Sequence, residues 1–400
     1  MIDPLNLHHP IDERSIRQYR LNSIRTLASQ RELAAVLLFD PINIRYANGS
    51  RNMQVWTMHN FCRYALILSS GPSVMFELPT GMHLLKNLET IDEVRPAFAT
   101  DYFITGPRTP EILRNWAHEI DDLVRRYGGE NRRLAVDRLD AGTASALKRC
   151  GLALLDGKEV MEHARSIKST EEIRAFRMSL STCETAMYEL KEQVRPGMTE
   201  CEALSILLAG SIRLGGEYPE TRLMTSGPRT NPWFQETSDR VINNGEFLSF
   251  DTDLIGPMGF YNDISRSWII GDAKPTDEQK RIYSESRAQL ETNISLLRPG
   301  LSFLEYSSKA YPLPEKYLAN RYADVGHGCG LGVEYPFLWY REDEKYGAYD
   351  GMFKENMIVC IESYVGEKYG REGVKLEQPV WIRANGPVVL SDFPLEDDLT

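Results

Sequence analysis

The chain has 400 residues, of which 42% are hydrophobic, so its length predicts two domains and each can bury a core. A formal net charge of −11 argues against a nucleic-acid or anionic-membrane partner, and no apolar run is long enough for a bilayer-spanning helix. Scattered cysteines without a CxxC pair, and an N-terminus without a secretory signal, predict a cytoplasmic protein in a reducing compartment.

Residues 1–160 alternate between segments with helical periodicity and short apolar segments typical of strands. Strands are predicted around Val36 to Phe39 and in the ranges 64–69, 73–78 and 133–138, and a helix is predicted over 111–128. This alternation is typical of an α/β layer domain. No GxGxxG sequence follows any of these strands, so a dinucleotide site is not expected.

A second domain, residues 161–400, is predicted to follow a junction near residues 157–170. Ser169 with Glu172 three residues later is a capping box, in which each side chain bonds the backbone N–H of the other, and it predicts the start of a long helix. Two further helix starts show the same pattern: Thr199 with Glu202, and Thr276 with Gln279.

The second domain contains an internal repeat. VRPGMTECEALS (194–205) resembles LRPGLSFLEYSS (297–308), and each copy follows a long predicted helix and precedes a second one. Pro-Gly turns after helices are common, so coincidence is one explanation, but the length of the match favours an internal duplication. Two duplicated halves that face each other would leave a central cleft suited to a ligand.

Three aspartates of the second domain are expected to converge. An apolar strand ends in Asp251-Thr252-Asp253, and side chains two residues apart on a strand share a face. A Gly-Pro turn follows, and the returning strand brings Asp263 opposite the pair. Three adjacent carboxylates repel one another, so either one stays protonated or a cation neutralises them. We interpret the cluster as a divalent-metal site.

One histidine and two glutamates complete the predicted donor set. His327 lies among four glycines, Glu362 ends the strand-like run MIVCIE, and Glu377 lies within the run VKLEQPVWI. A glutamate inside an apolar strand is costly unless it is paired or bound to a metal. Taken singly, each acid is typical of a solvated surface group. Taken together, the set predicts two divalent metal ions (Fe, Mn, Co or Zn) bridged by carboxylates.

These motifs resemble the creatinase, prolidase and methionine-aminopeptidase superfamily, known for its pita-bread fold, and within it the DddP-type dimethylsulfoniopropionate (DMSP) lyases. Five stretches look like the lyase subgroup specifically: RTNPWFQE (229–236), FDTDLIGPMGF (250–260), DISRS (263–267), ESY (362–364) and GVKLEQ (373–378). The resemblance implies a creatinase-like N-terminal α/β domain over 1–160 and a pita-bread catalytic domain over 161–400 with pseudo-twofold halves. It also implies six filled metal positions: Asp251, Asp253, Asp263, His327, Glu362 and Glu377.

The resemblance further implies a homodimer in which an N-terminal loop of one subunit reaches the active site of the other. The segment RNMQVWTMHNFCR (51–63) looks like that loop, with Trp56 at its tip. A cationic small-molecule substrate would favour aromatic walls through cation–π contact. The candidates for such walls are Trp56, Trp233, Tyr322, Trp339 and Tyr340.

Two departures from the superfamily bear on the reaction. The two additional histidines of its peptidases are absent. The region before the first Asp strand, where one is expected, reads SGPRTNPWFQ, with Trp233. The region after the metal histidine, where the other is expected, reads GVEYP. The lyase subgroup has its base at an aspartate six residues after the metal histidine, and this position is Val333 here. The groups that could replace it are Glu334, Asp324 or a hydroxide on the metal, whereas the subgroup's active-site tyrosine is retained as Tyr322.

The sequence therefore leaves three functions open. The first is a metal-dependent lyase that cleaves DMSP or a related small carboxylate to acrylate and dimethyl sulfide. The second is a C–N hydrolase of the same superfamily, similar to a dipeptidase, a creatinase or an ectoine hydrolase. The third is a binding or regulatory protein that kept the fold and lost the chemistry, and the intact metal positions argue against it.

Overall fold

The computed structural model describes residues 9–400, which divide into two compact units. One unit comprises residues 12–165, and the other comprises residues 166–400 together with 9–11. Within the described residues, no helix combines the length and the apolar character that a membrane span requires.

The N-terminal unit is a layered α/β structure built on one mixed sheet. Its strands are β1 (Ala35–Leu38), β2 (Tyr64–Leu68), β3 (Ser73–Glu77), β4 (Glu93–Pro96), β5 (Arg133–Val136) and β6 (Ala153–Asp156). Its helices are α1 (Glu13–Gln30), α2 (Pro41–Asn48), α3 (Gln54–His59), α4 (Tyr102–Thr105), α5 (Thr109–Gly128), α6 (Ala141–Arg149) and α7 (Gly157–Ser166). The strand order is β4-β3-β2-β1-β5-β6. The β1–β2 and β2–β3 pairs are antiparallel, and the β3–β4, β1–β5 and β5–β6 pairs are parallel.

The sequence pattern accounts for this unit well. Leu113, Trp116, Ile120 and Val124 recur at helical spacing along α5, and all four pack into the core beneath the sheet. The four predicted strands and the predicted helix over 111–128 are confirmed to within two residues.

The segment 51–63 differs from the loop that was expected, because it contains helix α3. Its six residues include no glycine or proline, so the backbone can close into a short helix. Trp56 lies on this helix with its side chain 38% exposed. A buried ion pair between Arg63 and Glu77, 3.0 Å long, holds the end of the segment, and Asn52 donates a hydrogen bond to the same carboxylate at 3.1 Å.

The described part of the C-terminal unit has long helices, two three-stranded sheets and one five-stranded sheet. Its helices are α8 (Thr170–Gln193), α9 (Glu200–Arg213), α10 (Asp277–Leu296), α11 (Phe303–Lys309) and α12 (Glu315–Leu318). Its strands are β7 (Tyr218–Pro219), β8 (Met224–Ser226), β9 (Phe247–Asp251), β10 (Leu254–Ile255), β11 (Tyr261–Asn262), β12 (Ser265–Ile269), β13 (Gly326–Cys329), β14 (Val333–Leu338), β15 (Ile358–Gly366), β16 (Gly373–Arg383) and β17 (Gly386–Val389). The sheet orders are β11-β10-β7, β12-β9-β8 and β14-β13-β15-β16-β17.

All three predicted capping boxes are confirmed, at the first residues of α8, α9 and α10. In each, the hydroxyl of the cap accepts a backbone N–H that would otherwise lack a partner, and each cap is worth about 1 kcal/mol. Both copies of the repeat form a long helix, an Arg-Pro-Gly turn and a second helix: α8 with α9, and α10 with α11. The predicted α/β class is confirmed.

Alternation along β15 and β16 separates the core of the C-terminal unit from a polar face. Val359, Ile361 and Val365 of β15 belong to a core cluster that also includes residues of α10. The residues that alternate with them, such as Glu362, must point to the opposite face, because successive side chains alternate across a strand. In β16 the same alternation places Leu376 in the core and Glu377 on the polar face.

Candidate metal centre

Strand ends and strand interiors bring acidic side chains to one point on this polar face. Glu362 and Glu377 lie directly opposite each other in the antiparallel β15–β16 pair. Asp251 ends β9, and Asp263 lies two residues before Ser265, which pairs with Asp251. All four acids are at most 5% exposed, so the cluster is shielded from bulk water.

His327 joins these acids from β13. Its Nε2 lies 3.1 Å from a Glu362 oxygen, 3.3 Å from Asp263 and 3.6 Å from Glu377. Its Nδ1 lies 3.0 Å from the Gly328 carbonyl oxygen, so Nδ1 carries the proton and Nε2 is left to face the acids. Glycine is required at 328, since a Cβ there would lie 2.2 Å from the Tyr335 carbonyl oxygen.

The donor atoms form three overlapping groups, and in each the ligand atoms lie within 4.8 Å of one another. Two ligands about 2.2 Å from one ion are separated by at most about 4.4 Å, so these groups are close to coordination geometry. The groups are Asp251 with Asp263 and Glu377, His327 with Glu362 and Glu377, and Asp263 with His327 and Cys360.

Asp253 is placed differently from the expectation that it shares a strand face with Asp251. Strand β9 ends at Asp251, and Asp253 follows in the left-handed region with φ 42°. Its carboxylate accepts hydrogen bonds from the hydroxyls of Thr221 and Tyr261. Burial and the neighbouring Asp251 raise the pKa of Asp253 to about 7. The alternation argument fails because the chain leaves the extended conformation between the two aspartates.

Lys375 is a site residue that the sequence reasoning missed. Its fully buried Nζ lies 2.6 Å from Glu362, 2.8 Å from Glu377 and 3.2 Å from Asp251. Its position two residues before Glu377 on one strand was the available signal, because residues i and i+2 share a face. The cluster thus includes a cation supplied by the chain itself.

The electrostatics of the cluster are those of crowded carboxylates. Burial, with Glu377 and Asp251, raises the pKa of Asp263 well above its ordinary value. Burial and Glu362 raise the pKa of Glu377 to about 8, against the effect of Lys375. Burial works to raise the pKa of Asp251 too, but the Lys375 ammonium and the hydrogen bonds with Asp263 and Ser265 together outweigh it, so the pKa lies below its ordinary value.

The donor set fits divalent cations. One ammonium cannot neutralise five buried carboxylates, and an isolated buried charge is strongly unfavourable. Within the described residues, Asp251 Oδ1, Asp263 Oδ1 and Glu377 Oε1 are buried without a hydrogen-bond partner. Carboxylate oxygens and an imidazole nitrogen are ligands that Mn²⁺, Fe²⁺, Co²⁺ and Zn²⁺ accept.

Comparison with known proteins shows the family of the chain. Metallopeptidase family M24 matches residues 174–384, slightly more than half of the chain. The chain belongs to metallopeptidase family M24. It is an enzyme of this family, and the predicted resemblance to the superfamily is confirmed.

Two relatives of this M24 enzyme are dimethylsulfoniopropionate lyases named DddP, from Roseovarius nubinhibens and Roseobacter denitrificans. Each is 36% identical over 393 residues, which cover 97% of this chain and 88% of the relative. Among solved structures, an Xaa-Pro dipeptidase from Bacillus anthracis has a TM-score of 0.76 at 20% identity and covers 95% of this chain and 99% of its own. That likeness shows the shared two-domain fold.

Two of the predicted aromatic residues of the M24 chain lie next to the acid cluster. The Lys375 Nζ is 4.5 Å from the ring centroid of Tyr322 and 6.0 Å from that of Trp233. Trp233 and Tyr322 form a small cluster with Tyr364, whose hydroxyl donates to the Thr230 carbonyl oxygen at 2.8 Å. These rings therefore form one wall of the polar face.

The other predicted side chains are engaged elsewhere. Trp339 packs on Phe337 at 4.7 Å, and the Tyr340 hydroxyl accepts from Gln289 at 3.2 Å. The predicted catalytic Glu334 forms a buried ion pair with Lys168 and is in none of the three donor groups. The remaining candidate base is a buried Asp324, whose carboxylate accepts the Gly326 N–H. Val333, at the position of the subgroup's base, is half-exposed and cannot take a proton.

Proposed function

We propose that this M24 enzyme is a metal-dependent lyase that cleaves DMSP to acrylate and dimethyl sulfide. The observation that carries the proposal is the 36% identity with two DMSP lyases over nearly the whole chain. The donor set supports metal dependence. His327 is the single histidine of the sequence after residue 163, which argues against the hydrolase alternative because the superfamily's peptidases need two more.

The proposed metal ligands are the six predicted residues Asp251, Asp253, Asp263, His327, Glu362 and Glu377, which would hold two divalent ions (Fe, Mn, Co or Zn). Such ions would act as Lewis acids that hold the substrate carboxylate, make its α-proton more acidic and favour a phenolate nearby. His327 is oriented for this role, since its Nδ1 proton is held by a backbone carbonyl.

The elimination moves one proton and two electron pairs. The α C–H bond breaks and its pair forms the C=C bond, while the C–S bond breaks and its pair leaves on sulfur as neutral dimethyl sulfide. We assign proton removal to Tyr322. Within residues 9–400, no group forms a hydrogen bond with its hydroxyl, whereas Glu334 is held by Lys168. Burial and Glu362 raise the pKa of Tyr322 well above its ordinary value, against the effect of Lys375, so the phenolate that takes the proton would depend on the charge of the cations bound nearby.

The sulfonium head of the substrate is assigned to the aromatic wall. The Lys375 ammonium already lies over the ring of Tyr322, which shows that the ring faces of these aromatic residues can accept a positive charge. Phe234 stacks on Tyr322 with a centroid distance of 5.1 Å and is 59% exposed, which extends the wall to the surface. Trp233 belongs to the same cluster and, as an indole, offers the best cation–π surface of these rings.

Replacing Trp233 with Ala should weaken substrate binding more than it slows turnover. A cation–π contact is worth about 0.5–2 kcal/mol, so the KM for DMSP should rise roughly 2- to 30-fold. Trp339→Ala is the matched control, because it removes an indole that packs on Phe337 and should leave the KM unchanged. Steady-state kinetics on both variants check this, and equal effects would argue against the wall.

The reaction itself is tested with purified protein. After loading with Mn²⁺, Fe²⁺, Co²⁺ or Zn²⁺, the enzyme should release acrylate and dimethyl sulfide from DMSP in equal amounts, and a chelator should abolish the release. Gas chromatography of the headspace and liquid chromatography of acrylate measure both products. Hydrolysis of Xaa-Pro dipeptides without any dimethyl sulfide would overturn the lyase proposal in favour of the hydrolase.

We also propose the quaternary arrangement that the resemblance implies. Residues 1–160 would act as the creatinase-like domain and 161–400 as the catalytic domain of a homodimer, with segment 51–63 carrying Trp56 to the partner's active site. The exposed ring of Trp56 and the buried Arg63–Glu77 pair that holds its segment support this arrangement. A cytoplasmic location stays a prediction.

A further inference from the structure

One thiol lies beside the carboxylates of the candidate metal centre. Cys360 is the third residue of β15 and lies directly opposite His327 in the antiparallel β13–β15 pair. Residues directly opposite in such a pair carry their side chains on the same face. The Cys360 Sγ therefore lies on the polar face, completely buried, with the Asp263 carbonyl oxygen 3.8 Å away.

The geometry around this thiol is that of a ligand group. Its Sγ, a carboxylate oxygen of Asp263 and a ring nitrogen of His327 lie within 4.8 Å of one another. A metal–sulfur bond of about 2.3 Å and a metal–oxygen or metal–nitrogen bond of about 2.1 Å allow separations up to about 4.4 Å. Modest shifts would place all three on one ion.

A second observation points to a ligand at the same place. Asp263 Oδ1 is buried and, within residues 9–400, has no hydrogen-bond partner. Native proteins rarely leave such an atom unsatisfied, so this oxygen needs either a hydrogen-bond donor or a cation beside it. Both thiols donate to a backbone carbonyl oxygen, Cys360 to Asp263 at 3.8 Å and Cys329 to Tyr261 at 3.4 Å, but Cys329 joins no donor group among the described residues.

We infer that Cys360 is a further metal ligand, on the His327 side of the centre, and that it biases the site towards ions that accept sulfur. This inference rests on the proposed metal centre. When the S–H bond breaks and the S–metal bond forms, the thiol proton leaves to solvent. Thiolate and imidazole suit Zn²⁺, Co²⁺ and Fe²⁺, whereas an all-oxygen set suits Mn²⁺ and Mg²⁺. Cys360 thus sets metal preference within an otherwise hard donor set.

Cobalt spectroscopy of the full chain tests the inference without relying on activity. Co²⁺-loaded wild type should show visible d–d bands and, in addition, a near-ultraviolet thiolate-to-cobalt charge-transfer band. Cys360→Ser and Cys360→Ala should retain the d–d bands and lose the charge-transfer band. Cys329→Ala, which removes the neighbouring thiol, should keep both. Competition between Zn²⁺ and Mn²⁺ should show the preference for Zn²⁺ falling about 10-fold or more in the Cys360 variants.

The outcomes separate this inference from the function on which it rests. If the wild type shows d–d bands without a charge-transfer band, or if the band survives in Cys360→Ser, Cys360 is not a ligand and the metal centre stands without it. If Co²⁺ gives no d–d bands at all, the metal centre and the Cys360 ligand are both overturned. Two Cys360 variants are used so that loss of folding in one does not decide the result.

Discussion

Replacing Tyr322 with Phe should lower the kcat for DMSP elimination by about 10²- to 10⁴-fold, which is the range that a positioned base contributes. The change removes a single oxygen and keeps the ring that lies 4.5 Å from the Lys375 ammonium, so the aromatic wall and the KM should be preserved. Metal content should also be preserved, because Tyr322 is not among the proposed metal ligands and the change leaves those six side chains in place. Steady-state kinetics together with metal analysis check all three expectations.

Tyr364→Phe is the matched control for this change. Tyr364 belongs to the same aromatic cluster, but its hydroxyl donates to the Thr230 carbonyl oxygen and lies 3.0 Å from Asn231. Its loss should cost about 1 kcal/mol of stability and leave kcat nearly unchanged. If Tyr322→Phe retains wild-type kcat, the base is another group, and Asp324→Asn is then the variant to compare.

The parts of the fold that could be predicted are those set by interactions between residues close in sequence, such as helix caps and apolar spacing. Three capping boxes marked the starts of the long helices because a cap side chain must accept an N–H three residues on. The helix over 111–128 followed from apolar spacing alone. Segment 51–63 was expected as a loop, and its short helix α3 has no capping side chain or strong periodicity that would have indicated it.

The candidate site was predictable where a charge interrupts an apolar strand. Glu362 and Glu377 stood out for this reason, and the structure places them directly opposite each other. Asp253 was assigned to the site by a strand argument that fails, since its φ of 42° cannot be read from the sequence. Lys375 lies two residues before Glu377, and Cys360 lies two residues before Glu362, so each shares a strand face with a glutamate. A lysine or a cysteine in an apolar strand does not by itself indicate a metal site, so the sequence did not mark them.

Lys375→Met should strongly destabilise the metal-free protein, because the Lys375 ammonium is the built-in counterion of the cluster. Its Nζ lies within 3.2 Å of Asp251, Glu362 and Glu377, and methionine fills a similar volume without charge. Removing one partner of a buried ion pair costs about 3–5 kcal/mol, because the other charge is left uncompensated. A loss of this size should lower the Tm of the catalytic unit by roughly 10 °C.

Divalent metal should reverse much of this loss, since an ion that binds only the folded state raises its stability by mass action. The rise in Tm on adding Co²⁺ or Mn²⁺ should therefore be larger in Lys375→Met than in the wild type. Lys375→Arg, which keeps the positive charge, should show a smaller loss without metal and a smaller rescue with it. Calorimetry of the three proteins with and without metal measures these differences. An unchanged Tm in metal-free Lys375→Met would mean that the carboxylates are already neutral, and the case for a cation-demanding site would weaken with it.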